Sequence, residues 1–127
     1  MLEATRPNGK NHCQLLRAAA EAIRICGRAI GTRQDPLYRR SGAKVGPMCA
    51  LGALDYAAGS DPSNCRIDTD PIIKVIQTRL KLDSLKGPTY AIANWSNNAP
   101  DDETVIKGFL QVATELEAEG LCFSDKV

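Results

Sequence analysis

The side chains able to do chemistry here are few: one histidine, five cysteines, one tryptophan among asparagines, and a scatter of arginines. His12 beside a cysteine would be the beginning of a thiol-protease pair. No local signature surrounds any of the cysteines, however, and His12 stands at the edge of a polar arm, so it reads as a surface residue near inert thiols. Cys49 is the weak catalytic candidate. It opens a small-residue helix, and open N–H groups at a helix N-terminus stabilise a thiolate. The competing reading places Cys49 with Leu51, Gly52 and Tyr56 on a core face, because an unpaired cysteine is most often a buried hydrophobe. Cys13, Cys26, Cys49, Cys65 and Cys122 are odd in number and irregularly spaced. With no Cys-x-x-Cys pair and a single histidine, the spacing holds no metal site, and no cofactor is expected. The five thiols read as reduced, which favours the cytoplasm.

Trp95 lies among Asn94, Ser96, Asn97 and Asn98. An aromatic ring next to side-chain amides can form one wall of a small-molecule or base-stacking site. The same tryptophan could equally plug a small core while the asparagines shape a turn. Arg17, Arg24 and Arg28 make a stripe on one helix face, and Arg33, Arg39, Arg40 and Lys44 crowd the loop that follows. Residues 1–46 carry nine Lys/Arg against three Asp/Glu, and residues 47–127 carry seven against twelve. This dipolar pattern suits a solvated basic face partly paired with the acidic half, where Glu115, Glu117 and Glu119 form a solvated last turn. The sequence pI of 7.6 is far below that of strongly basic nucleic-acid binders, so nucleic acid is a disfavoured partner. The glycines show neither a Gly-x-Gly-x-x-Gly nor a Walker spacing.

These groups must be positioned by helices. A chain of 127 residues, 43% hydrophobic and 24% charged, is long enough for one domain with its own core. No run reaches the length of a membrane span, and the N-terminus shows no apolar leader. Residues 1–11 read as a flexible arm in which Pro7, Asn8 and Gly9 oppose regular structure, and residues 12–127 as a single helical domain. Asn11 caps a helix over 12–30 whose ladder is Leu16, Ala19, Ile23, Cys26 and Ile30, ended by Gly31. A long loop, 32–46, follows. Pro47 suits the first turn of a second helix, 47–58, in which Gly52 costs about 1 kcal/mol relative to alanine and implies a close neighbour. Asp70-Pro71 starts a third, 71–82, and Thr89 a short fourth, 89–95, with Ile92 and Trp95 buried. After an Asn97–Pro100 loop, Asp101 starts the last, 102–119, with Gly120-Leu121 as its Schellman ending. No run alternates with period two, so no sheet is expected. The fold class is therefore all-α: a compact bundle of four to five helices around a central small-residue helix, its interior near Gly52 and Ile106.

Two segments carry a family likeness. Cys49-Ala50-Leu51-Gly52-Ala53-Leu54 with Ala57, and Ile92 through Trp95-Ser96-Asn97 leading to Thr104-Val105 and Ala113, resemble an uncharacterised family of small actinobacterial and actinophage proteins, domain of unknown function six-one-nine-seven. The likeness spans roughly residues 14–116. It departs at the turn, where Ser96 stands for the usual asparagine and Asn97 for the usual aspartate. The resemblance implies a helical fold and a bacterial or phage cytoplasmic setting, and brings no activity. The residues alone point to a non-enzymatic binding or interaction protein using Arg33, Arg39, Arg40, Lys44, Trp95, Asn97 and Asn98. Its expected partner is a protein or an anionic small molecule, with a homodimer left open. A small enzyme built on Cys49 and a weak nucleic-acid binder are the alternatives.

Overall fold

The computed structural model describes residues 5–6, 9–32, 47–59, 65–83 and 85–123. Helix α1, His12–Cys26, begins as expected: the Asn11 side chain accepts from the Gln14 N–H at 3.0 Å. Leu16, Ala19 and Ile23 face inward. The helix stops a turn before Gly31, because Gly27 takes φ +87 and its N–H donates to Ile23. Only glycine enters that conformation without strain. Ile30, placed in the buried ladder by periodicity, is consequently 63% exposed.

The chain then returns past the same point. Met48 donates its N–H to Gly27 O at 3.2 Å, and Pro47 lies alongside that glycine. This pairing keeps residues 47–49 extended, so the second helix, α2, is Ala50–Ala57 and not 47–58. All of Ala50–Asp55 is buried, Gly52 included, which makes α2 the central small-residue helix. A short 3-10 helix, Arg66–Thr69, leads to α3, Pro71–Arg79, whose N-cap Asp70 accepts from Ile72 N–H at 2.9 Å. Helix α4, Pro88–Asn98, is longer than the expected 89–95. Pro88 takes the first helical position, and Asn98 bonds back to Asn94, closing a last turn where a loop was expected. Helix α5, Asp102–Ala118, is capped by Asp101 and ends in a Schellman motif, Leu121 N–H to Leu116 O at 2.8 Å and Gly120 N–H to Glu117 O at 3.2 Å.

Helix α1 packs on α5 and α2, and α4 bridges α3 and α2. The shared interior includes Leu16, Leu54, Ile76, Ile92, Ile106 and Phe109. Burying each such side chain stabilises the fold by about 1.5–3 kcal/mol. The architecture is the all-α bundle that the periodicity predicts. Two further features depart from expectation. In the arm, Thr5–Arg6 and Gly9–Lys10 pair antiparallel as a minimal hairpin, β1 with β2. And Cys13 is joined to Cys122 by a disulfide, tying the first turn of α1 to the segment after α5. The expectation of five reduced thiols is corrected for these two; Cys26, Cys49 and Cys65 form no disulfide. Among the described residues no helix is long and apolar enough to cross a membrane.

Candidate binding groove

Helix α4 presents two polar edges with different fates. On one edge its side chains and backbone are consumed by the fold. Ser96 is fully buried, and its Oγ accepts from the Ala50 N–H at 3.0 Å, capping α2 from another helix because Cys49, the N-cap itself, supplies no side-chain bond. Ser96 O accepts from Arg28 Nη1 at 2.7 Å. The Arg28 side chain is only 6% exposed, and its Nε lies 3.2 Å from Asp102 Oδ1. Asn97 Oδ1 accepts from the Gly31 N–H at 3.0 Å. Four segments are therefore knotted at one point: the turn after α1, the start of α2, the end of α4 and the start of α5.

The other edge is open. Ala91, Asn94, Trp95 and Asn98 fall at i, i+3, i+4 and i+7, a single stripe on α4, and they line a groove of about 350 Å³. Lys81, Leu82 and Asp83 form one rim, and Ala99, Pro100 and Thr104 complete the lining. Trp95 is half-buried. Its ring meets Phe109 edge-on at 5.9 Å between centroids and lies over Gly108 so closely that a Cβ there would stand 2.5 Å from Cζ2. The glycine in α5 is thus what lets the tryptophan lie flat against the bundle while it also walls the groove. Lys81 holds φ +56, a left-handed conformation ordinarily reserved for glycine at this Schellman position; Leu82 N–H to Gln77 O at 2.9 Å marks the motif.

A family described as a family of unknown function (DUF6197) has a sequence model that matches residues 8–115. The chain belongs to this family. Comparison with curated proteins and with solved structures finds no match.

Within this DUF6197 chain the residues singled out by their chemistry are dispersed. Trp95 and Asn98 reach the groove, whereas Asn97 is turned to the knot. Arg33, Arg39, Arg40 and Lys44 lie outside the described residues. Cys49 is 4% exposed, so packing and not access describes it. His12 is fully buried, correcting its reading as a surface residue: its N–H donates to Cys122 O at 2.7 Å under the disulfide. The arginine stripe is paired. Arg17 forms a two-point bond to Glu117, at 2.6 and 3.1 Å, and Arg24 lies 3.1 Å from Glu21. Glu115, Glu117 and Glu119 are not simply solvated, for Arg79 grips Glu119 at 2.5 and 2.7 Å and approaches Glu115 at 3.6 Å. These hydrogen bonds hold the Glu117 and Glu119 carboxyls below the ordinary glutamate value. Cys13, Cys122 and Glu117 place three donor atoms within 4.8 Å of one another, but the two sulfurs are spent on each other and the carboxylate on Arg17.

Reasoning from sequence missed Ser96 and Asp55. Asp55 is fully buried in α2 and accepts from the Ile67 N–H at 2.8 Å, pinning the 3-10 helix. Lys81 and Gly108 were missed as well. No local signal marks any of the four, since each acts on a partner distant in the chain or through backbone geometry.

Proposed function

We propose that this protein is a non-enzymatic binding protein whose site is the Trp95 groove, taking a small ligand with a planar or apolar body and an anionic group. The observation that carries the reading is the α4 stripe itself. An aromatic wall beside the Asn94 and Asn98 amides stands on rigid helix, at a rim where a lysine holds a conformation that glycine would occupy without strain. Core packing asks for Trp95 to meet Phe109, but it does not ask for amides on the open side of the ring or for a left-handed lysine at the edge. Lys81 supplies the cation among the described lining residues, with Asp83 close by to discriminate against ligands of high negative charge. The actinobacterial or phage setting implied by the family likeness belongs to the same proposal; the cytoplasmic expectation rested on five reduced thiols and loses that ground at Cys13–Cys122.

The enzyme alternative loses support from the burial of Cys49, and the nucleic-acid alternative from the pairing of Arg17, Arg24 and Arg28. Trp95 is the chain's single tryptophan, so its fluorescence reports on the groove without labelling. Titration with anilinonaphthalene sulfonate, a planar anionic dye, should quench Trp95 saturably in the native protein. Lys81→Gln should weaken that binding while the helical circular dichroism stays unchanged. Quenching that is linear and indifferent to Lys81 would refute the groove as a site.

A further inference from the structure

The disulfide offers chemistry that the groove does not use. Its two sulfurs are unequally placed. Cys13 is 2% exposed and occupies the second position of α1, inside the first turn, whereas Cys122 is partly exposed on the segment that follows α5. An incoming thiolate therefore has access from the Cys122 side. The sulfur that leaves is Cys13, in the first turn of α1, where the helix dipole favours a thiolate and a better leaving group departs faster. Glu117 beside the pair would oppose negative charge on sulfur, but its own charge is offset by the Arg17 guanidinium bonded to both its oxygens. Burial of Cys13 opposes its thiolate and the helix dipole offsets that cost, so access to Cys122 is what sets the direction of attack.

We propose that Cys13–Cys122 is a thiol–disulfide exchange site, opened by a dithiol reductant that attacks Cys122, and that its opening releases residues 121–123 from the N-terminus of α1. One thiolate of the reductant attacks Cys122 Sγ. The Cys13–Cys122 bond breaks, and Cys13 leaves as a thiolate that takes a proton from water. The second thiol of the reductant then displaces Cys122 from the mixed disulfide and becomes oxidised, two electrons having passed to the protein. Once the bond is open, the segment is tied to α1 by the His12 N–H to Cys122 O hydrogen bond and the partial burial of Leu121, while Glu119 stays paired with Arg79 and the Schellman bonds of Gly120 and Leu121 stay with α5. The ties to α1 are local, the kind that open without global unfolding.

The test starts from protein purified without reductant. Intact mass and alkylation before and after denaturation should count two fewer thiols than the five cysteines; five alkylated thiols would overturn the proposal at once. Brief exposure to glutathione, a monothiol that stalls at the mixed disulfide, should place the adduct on Cys122 and the free thiol on Cys13. The reverse placement would refute the mechanism. Reduction with dithiothreitol should abolish hydrogen-exchange protection at His12, whose N–H is bonded to Cys122 O, while Ile73 and Ile76 in α3 keep theirs. Unchanged protection at His12, or loss at all three, would overturn the latch. Cys122→Ser should show the same local loss in the absence of any reductant, which keeps the test independent of reagent effects on Cys26, Cys49 and Cys65.

Discussion

The two edges of α4 carry similar residues to opposite ends. Ser96 and Asn97 are spent on the knot, where their oxygens receive the buried Ala50 N–H and the exposed Gly31 N–H. Asn94, Trp95 and Asn98, drawn from the same polar run, border an open groove, and there Asn98 donates to Asn94. The difference lies in what each edge faces. The start of α2 has a buried amide and no cap of its own, so it takes whatever acceptor α4 presents. The rim at Lys81–Asp83 makes no such demand. A polar side chain beside a helix end tends to become structure, and one beside a closed helix end remains available to a ligand.

Breaking the knot should have the larger effect. Ser96→Ala removes the acceptor of the Ala50 N–H in a fully buried place. An unsatisfied buried donor costs about 1–3 kcal/mol, so a loss near about 2 kcal/mol in a urea titration is expected. A change under a few tenths would mean that another acceptor or water replaces the hydroxyl and that the knot is dispensable. The mutation should leave dye binding in the groove unaltered at temperatures where the protein is folded.

Gly108→Ala attacks the seam between the two edges. Alanine improves helix propensity by about 1 kcal/mol, while overpacking costs about 1–3 kcal/mol. The added Cβ would meet the Trp95 ring at 2.5 and 2.8 Å, too close unless the ring shifts. A net destabilisation of about 1 kcal/mol is expected, with Trp95 displaced toward the groove and its emission red-shifted. A stabilised variant with unshifted emission would show that the ring does not need the glycine.

On the open edge the sign reverses. Lys81→Gly relieves the left-handed strain, which for a non-glycine residue is roughly 1 kcal/mol. Stability should rise by up to about 1 kcal/mol, offset in part by the larger entropy of unfolded glycine, while dye binding weakens. A protein that gains stability and keeps its affinity would show that the lysine is not retained for a ligand.

What the sequence discloses follows the range of each interaction. The caps at Asn11, Asp70 and Asp101, and the Gly120-Leu121 ending, are legible because donor and acceptor lie within a few residues of one another. The buried faces of α1 and α5 are legible from periodicity. Helix α1 was read too long because its ladder continues to Ile30, and nothing local says that Met48 will occupy Gly27 O. Cys13 and Cys122 stand 109 positions apart, and pairing among five cysteines is not a local property. Ser96 capping α2 is a bond across 46 positions, so it reads in the sequence as one more polar residue in a turn. Of the site, Trp95 and its asparagines were visible as a cluster, but which amide faces the groove depends on α4 continuing one turn further than its start signals imply.

Acid gives the gentlest separation of the two edges. Asp101 is held below its ordinary 3.8 first by the Thr104 hydroxyl and then by the Thr104 N–H, and Thr104 lines the groove. Glu117 and Glu119 are held below 4.5 first by hydrogen bonds from Arg17 and Arg79. In each case the folded value lies under the unfolded one, so the unfolded chain binds more protons in that interval and stability rises with pH through it. The contribution is complete above about 4.5, declines as the pH falls through the lowered folded values, and is gone below them. All three groups are exposed, so the loss should be small and, for the two arginine pairs, further reduced by salt. The cap at Asp101 depends on a hydrogen bond to a neighbour more than on a distant charge, so its share should persist in salt. Thermal melts between pH 5 and 3 at low and high ionic strength should therefore converge but not become flat, and dye binding should weaken along the salt-resistant part. Melts independent of pH in that range would mean that none of these bonds forms in solution, and a decline abolished by salt would remove Asp101, and with it the link between the start of α5 and the groove.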